Sequence, residues 1–152
     1  MTTLKATLHD DLTTAIKARD QLRSATLRLT LSAIGYEETA GDSARELSDD
    51  EVLKIITREV KKRRDAAEAF EKAGRAESAE RERAEAEVLT GYLPAQLSDD
   101  ELRALVTEAV TETGASGMAG MGTVMKAVQP KIAGRAEGSR VAAEVKRQLS
   151  AG

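Results

Sequence analysis

Leucine recurs every four residues at the start of the chain, at Leu4, Leu8 and Leu12, and Ile16 continues the series. That spacing keeps apolar side chains on one face of an α-helix, so the pattern predicts an amphipathic first helix. The next stretch, about 20–38, carries Leu22, Leu27, Leu29, Leu31, Ala33 and Ile34 around its whole girth. A helix that is apolar on all sides is expected at the centre of its bundle. Thr39 to Ala44, with Gly41, Asp42 and Ser43, reads as a loop. A third helix opens on a strong start signal. Ser48 is placed as N-cap, Glu51 three residues later closes a capping box, and Leu47 and Val52 are spaced to form a hydrophobic staple. Asp49 and Asp50 suit the positive end of the helix dipole. The apolar stripe then runs Val52, Ile56, Val60, Ala67, Phe70, and Gly74 is a natural stop. About 25 residues give a rod of roughly 37 Å. Arg63 falls in the gap of this stripe, where it can snorkel to water or pair across the bundle. A fourth helix, about 76–91, is dense in Glu, Arg and Ala, with only Ala79, Ala86 and Leu89 on its apolar side.

Pro94 disfavours helix in the residue before it and marks a boundary. Directly afterwards, Leu97, Ser98, Asp99, Asp100, Glu101 and Leu102 repeat the earlier start signal almost letter for letter. The repeat goes no further, so it reads as two good helix starts that resemble each other. Leu102, Leu105, Val106, Ala109 and Val110 predict a fifth helix that ends at Gly114. A glycine-rich loop follows, with Gly117, Gly120 and Gly122. The sixth helix is short, with Val124, Met125 and Val128 on one side and Lys126 on another, and Pro130 is expected to stop or bend it. Gly134 and Gly138 bracket a turn, and Val141, Ala142, Val145 and Leu149 face inward from a last helix. No alternating apolar–polar run of the kind a strand needs is present. The fold expected is all-α: an N-terminal bundle of four helices over 1–95 and a small three-helix C-terminal domain over 96–152. About 57 residues is marginal for independent folding, so the tail is expected to pack on the first part or to hinge at Pro94.

Composition narrows the chemistry. The apolar share is 41%, but the aromatics are Phe70, Tyr36 and Tyr92 alone, so the core must be aliphatic. There is no cysteine and one histidine, His9. Disulfides, thiolate metal sites and zinc sites are therefore excluded. A Ser-His-Asp set would have to recruit His9, which stands beside Asp10 and Asp11 on a polar face and reads as a solvated surface residue. Glu59–Arg63, Lys61–Asp65, Arg64–Glu68 and Glu68–Lys72 are helical i, i+4 pairs, not paired acids in a cleft. Gly117 and Gly122 have the gap of a phosphate-binding loop, but Thr123 and Val124 stand where its lysine should follow. The sequence thus names no catalytic residue, no metal ligand and no cofactor. The first residues lack the apolar core of a signal peptide, and no run approaches the roughly 20 apolar residues of a membrane span. A cytoplasmic protein without membrane contact is the expectation.

Charge adds one positive suggestion. The net is −3 overall. Residues 114–152 nevertheless hold Lys126, Lys131, Arg135, Arg140, Lys146 and Arg147 against Glu137 and Glu144, a local +4. Lys126, Lys131, Arg135, Arg140 and Lys146 are candidates for neutralising backbone phosphates. The tail has no aromatic to stack on bases, which argues against single-strand recognition. The basic run Arg58, Lys61, Lys62, Arg63, Arg64 is interleaved with Glu59, Asp65 and Glu68 and reads as a solvated helix face.

Tyr92-Leu-Pro-Ala-Gln-Leu97-Ser, Gly114-Ala, Met121-Gly-Thr-Val-Met125, Pro130-Lys-Ile-Ala-Gly134-Arg-Ala-Glu-Gly138 and Val145-Lys together resemble the YqeY family, and Lys62-Arg-Arg-Asp65 followed by Phe70 is similar to its N-terminal part. The tail also resembles the C-terminal domain of the B subunit of tRNA-dependent amidotransferases, a helical domain that contacts tRNA. The resemblance implies a two-part helical protein whose partners are tRNA or amidotransferase subunits, the latter a glutamine-dependent carbon–nitrogen ligase machinery. It makes Gly120, Gly122, Met125, Gly134 and Gly138 motif positions and does not imply catalysis in this chain. Family members often carry Lys at the position of Thr123 and Asp at that of Gly120. The alternative reading is a protein-interaction or oligomerisation scaffold that binds no RNA; the oligomeric state is left open.

Overall fold

The computed structural model describes residues 2–151. Among these there are seven α-helices and no strand. In order they are α1 (Leu4–Lys17), α2 (Gln21–Glu38), α3 (Asp49–Lys72), α4 (Ala76–Thr90), α5 (Asp99–Thr113), α6 (Met121–Ile132) and α7 (Gly138–Ala151), with a single 3-10 turn, Met118–Gly120, before α6. They group into two compact units, Met1–Leu93 and Pro94–Gly152.

In the first unit, α3 and α4 form a long antiparallel hairpin against which α1 and α2 pack. Gly74, at φ 76°, supplies the left-handed residue that the hairpin turn needs. The core is aliphatic: Leu8 from α1, Leu27 and Ile34 from α2, Val52, Ile55, Ile56 and Val60 from α3, and Ala86 and Leu89 from α4. Beyond Arg63 the hairpin is held mainly by small residues, with Ala67 and Ala79 buried between its two arms. Three polar residues of α2 are buried without disturbing this core. Ser24, Thr26 and Thr30 each donate a hydroxyl to the carbonyl four residues back, at 2.7, 2.8 and 2.9 Å, which satisfies them inside their own helix.

Two expectations change here. The girth of α2 is not covered. Leu27, Thr30 and Ile34 face the core, but Leu29 remains 56% exposed and Tyr36 75% exposed. Three neighbouring helices contact α2, and they leave one flank open. The two start signals also behave differently. At α5, Ser98 Oγ accepts from the Glu101 N–H and the Glu101 carboxylate accepts from the Ser98 N–H at 3.0 Å, a full capping box. At α3, Ser48 Oγ accepts from the Glu51 N–H at 3.2 Å, but the Glu51 carboxylate turns to Arg45 at 2.8 Å and takes a long bond from the Ser48 hydroxyl. A nearby arginine outcompetes the reciprocal half of the box.

In the second unit, α5, α6 and α7 enclose Leu97, Leu102, Val106, Ala109, Val124, Val128, Ile132, Ala136, Val141, Val145 and Leu149. Pro130 does not stop α6. The helix continues to Ile132 and ends at Ala133, which is left-handed at φ 46°. Proline removes one backbone donor, and so close to the C-terminal end, on an exposed face, the loss is tolerated. The Leu97 N–H donates to the Arg135 carbonyl at 2.7 Å and ties the start of the unit to the α6–α7 turn.

Candidate nucleic-acid interface on the tail

The five candidate cations of the tail divide into two kinds. Lys131, in the last turn of α6, bonds Glu108 at 2.8 Å and Glu112 at 3.2 Å, both on α5. These carboxylates raise the Lys131 ammonium above its usual value, and the lysine in turn holds Glu108 below the ordinary carboxylate range. Arg135 folds back on the end of α6, donating to the carbonyls of Lys131 at 2.7 Å and Ile132 at 3.2 Å. It thereby caps carbonyls that the helix end leaves unpaired. Arg140, in the first turn of α7, donates to the Leu97 carbonyl at 3.1 Å and to Asp99 at 2.9 Å. All three are engaged in holding the unit together. The acids that hold Lys131 and Arg140 lie upstream, on α5, outside the stretch 114–152 over which the local +4 is counted.

Lys126 and Lys146 differ. Both are exposed, and no hydrogen bond or ion pair engages either among the described residues. Their direction follows from helix arithmetic. Lys131 fixes the flank of α6 that faces α5, and Lys126, five residues earlier, lies about 140° around the helix from it. On α7, Glu144 approaches Arg103 at 3.9 Å and Gln148 donates to the Arg103 carbonyl at 3.0 Å, which fixes that helix's α5-facing flank. Lys146 is two residues from each and lies about 160° away from both. The two lysines therefore share the side of the α6–α7 pair that faces away from α5. The Ser150 hydroxyl meets Met118 Sδ at 3.8 Å, so the end of α7 lies beside the start of α6 and the pair is antiparallel. α6 contains no acidic residue, and the one acid of α7, Glu144, is turned toward α5 and held by Arg147 at 2.6 Å. The face with Lys126 and Lys146 is positive because its own helices contribute no exposed acid to it.

The motif glycines serve this arrangement unequally. Gly120 ends the 3-10 turn where it passes Ala115, and a Cβ there would lie 2.7 Å from the Ala115 Cβ. Gly122 and Gly138 meet nothing within 4 Å and lie open at the starts of α6 and α7. Gly134, at φ 79°, follows Ala133 in the turn, and Met125 packs half-buried against the core. Thr123 is exposed, one turn from Lys126 on the same helix.

Three carboxylates of this unit are held below the ordinary carboxylate range: Glu101 by the Ser98 N–H, Glu108 by Lys131 and Glu144 by Arg147. A carboxylate depressed on folding stabilises the fold fully above its unfolded value. That contribution is lost as pH falls through the lower folded value. The tail is expected to lose helix cooperatively as the pH drops below about 4, and Glu101→Gln and Glu108→Gln should flatten that loss. Far-ultraviolet circular dichroism of the full chain against pH checks it; a tail equally helical at pH 2 and pH 7 would contradict it.

Two clusters in the first unit gave no decisive sequence signal. Arg63 is 6% exposed and Glu85 8%. Arg63 Nη1 donates to the Glu59 carboxylate and carbonyl, both at 3.2 Å, and its Nε lies 3.4 Å from Glu85. That last contact is within ion-pairing reach but off the hydrogen-bonding line, and Nε is buried without a hydrogen bond. Of the two readings open for Arg63, the structure shows pairing across the hairpin. The group borders an open cleft of about 330 Å3 lined by Leu29, Ala33, Ala66, Lys62 and Glu82 besides the ionic residues. Separately, the Tyr92 hydroxyl donates to Asp11 at 2.6 Å and accepts from Arg23 at 3.2 Å. Burial, with Asp11 adding to it, pushes the phenol up to about 12. This tie joins α1 and α2 to the residues just before Pro94.

Fold and site together define an all-α protein of two helical units, the second carrying a basic face to which its own helices add no exposed acid. The chain belongs to the YqeY family: the family model, described as Yqey-like protein, matches residues 5–149. An uncharacterised protein of Schizosaccharomyces pombe is 33% identical over 97 residues, 63% of this chain and 76% of that protein. The protein called altered inheritance of mitochondria protein 41, mitochondrial, is 34% identical in Lachancea thermotolerans over 110 residues, 70% of this chain. There the match spans 58% of the relative's own length. Its namesake in Clavispora lusitaniae is 29% identical over 133 residues, 86% of this chain and 76% of that protein. No helix among the described residues is long and apolar enough to cross a membrane.

Proposed function

We propose that this protein is a non-catalytic helical module that docks on structured RNA, tRNA in the first instance, through the α6–α7 face carrying Lys126 and Lys146. The observation that carries this reading is the pair of exposed lysines without partners on a face to which its own helices add no exposed acid. Fixed cations of this kind contact backbone phosphates and position a protein on RNA without reading sequence. The absence of an aromatic in the tail fits a folded RNA better than a splayed single strand. The tail's resemblance to the tRNA-contacting domain of the amidotransferase B subunit supports tRNA as the RNA and amidotransferase subunits as neighbours. A cytoplasmic setting accords with this. Lys131, Arg135 and Arg140 are assigned a supporting part, since releasing them would cost the unit its internal ties.

Fluorescence anisotropy with total tRNA tests the proposal. Two phosphate contacts give a log–log salt slope near −1.8, about a tenfold loss of affinity between roughly 50 and 200 mM salt. Lys126→Glu with Lys146→Glu should abolish binding at the lower salt with helicity unchanged, whereas Thr123→Lys should tighten it. No binding of the unaltered protein at 50 mM salt, or binding indifferent to the double reversal, would overturn the reading.

A further inference from the structure

The open flank of α2 carries a second apolar seam, opposite in sense to the one that faces the core. Leu22, Ala25, Leu29, Ser32 and Tyr36 follow one another at intervals of three, four, three and four residues. That is the spacing by which one helix packs along another. Leu29 and Tyr36 on it are 56% and 75% exposed, and the small Ala25 and Ser32 between the large residues leave room for a second helix to approach. We infer that this seam and the cleft beside it form the contact surface between two copies of the chain, packed two-fold with their α2 helices antiparallel.

The argument for a second copy rests on self-complementarity. In a two-fold contact the same patch meets itself, so it must match itself in shape and in charge. A seam centred on Leu29 does so in shape. Antiparallel pairing sets Leu29 against its own copy, Leu22 against Tyr36 of the other molecule, and Ala25 against the neighbourhood of Ser32 and Ala33. The charges on the rim of the cleft match as well. A two-fold axis that turns α2 onto its copy keeps both clefts on the same side, where they face each other. The cleft has Lys62 on its α3 wall and Glu82 on its α4 wall, and Leu29 and Ala33 on α2 complete it. Lys62 projects with its side chain 77% exposed, 3.8 Å from Glu59 at the nearest. A rim of one sign would repel its own copy, whereas a rim with both signs allows the lysine of each molecule to reach the glutamate of the other. A nucleic acid is disfavoured, because Glu59, Glu82 and Glu85 outnumber Lys62 and Arg63 around the cleft. The site lies in the first unit and shares no residue with the tail face proposed to dock RNA.

The chain contains no cysteine, which makes the decisive experiment simple. Leu29→Cys places one thiol at the two-fold axis and should form an intermolecular disulfide rapidly under mild oxidation. Ala40→Cys, in the exposed loop after α2, serves as the control and should cross-link no faster than chance encounter. Sedimentation velocity of the unaltered full chain from micromolar to millimolar concentration should show a monomer–dimer equilibrium. Leu29→Glu should leave a monomer of unchanged helicity. Lys62→Glu should weaken the dimer about tenfold, and adding Glu82→Lys should restore it, because the exchanged charges again complement each other. The inference is overturned if the protein is monomeric throughout, if Leu29→Glu still dimerises, if the Leu29→Cys thiol links no faster than the control, or if the charge exchange fails to restore what Lys62→Glu loses.

Discussion

Arg63→Ala is expected to destabilise the N-terminal unit by about 3–5 kcal/mol, since that is the scale seen when one partner of a buried ion pair is removed. The loss does not measure the worth of the salt bridge. Arg63 is 6% exposed and is the cation that sits between two nearly buried carboxylates, Glu59 on its own helix and Glu85 on α4. Truncation leaves two negative charges close together in poor contact with water, with Arg81 on the outer side of Glu85 at 3.4 Å and Lys62 at 3.8 Å from Glu59 as weak compensation. It also opens a void at the point beyond which the hairpin arms are held mainly by small residues, Ala67 and Ala79 among them. For a unit of this size each kcal/mol moves the midpoint by roughly 4–8 °C, so melting should fall by more than about 12 °C. The comparison that gives the result meaning is Arg63→Met with Glu59→Gln and Glu85→Leu. Replacing the cation and both of its carboxylates by uncharged groups of similar volume removes the desolvation cost as well as the attraction, and the triple variant should melt near or above the unaltered protein. Thermal denaturation of the full chain, with hydrogen exchange to assign the transition to α3 and α4, checks both.

The same residue shows where sequence reasoning stops. The gap that Arg63 leaves in the apolar stripe of α3 is visible at a spacing of three and four residues, and so is its i, i+4 partner Glu59. Glu85 is not, because nothing local tells which residue of α4 will stand opposite once the hairpin closes. Helix starts, stops and inward faces were legible for this reason: Ser98 with Glu101, Gly74 and Gly114, and the stripe Val141, Val145, Leu149 are all set within one or two turns of chain. What local pattern could not supply was competition between elements. Arg45 takes Glu51 away from the capping box at α3, and Glu108, Glu112 and Asp99 take Lys131 and Arg140 out of the basic face. The tail's local +4 was therefore a correct count of charges but not a map of them. Half of its meaning lay in α5, where acids 19 to 41 residues upstream in sequence become neighbours in space. The apolar girth of α2 failed differently. The pattern pointed to neighbours on every side, whereas the three helices that contact α2 leave one flank open.

Gly120→Ala is expected to destabilise the tail by about 1–3 kcal/mol, the usual cost of forcing one more carbon into a filled space. Its Cβ would stand 2.7 Å from the Ala115 Cβ. Neither atom can rotate away, because each is fixed to the backbone, so relief must come from shifting the 3-10 turn or the segment that leaves α5. The backbone angles at Gly120 are ordinary, φ −84° and ψ −1°, which separates this requirement from the left-handed glycines: space, not conformation, demands glycine here. Ala115→Gly should therefore rescue Gly120→Ala, apart from the modest cost of a second glycine in the chain, whereas it could not rescue a conformational defect. Gly120→Asp should be worse than alanine in this chain unless Ala115 is also reduced. The consequence reaches the proposed interface, because this turn sets the start of α6 and so the position of Lys126, about one and a half turns into the helix. Single and double variants, compared by thermal melting and by tRNA anisotropy, should lose and regain stability and affinity together. If Gly120→Ala melted normally while Ala115 was intact, the close approach would carry no energetic weight, and the turn would have to yield without strain.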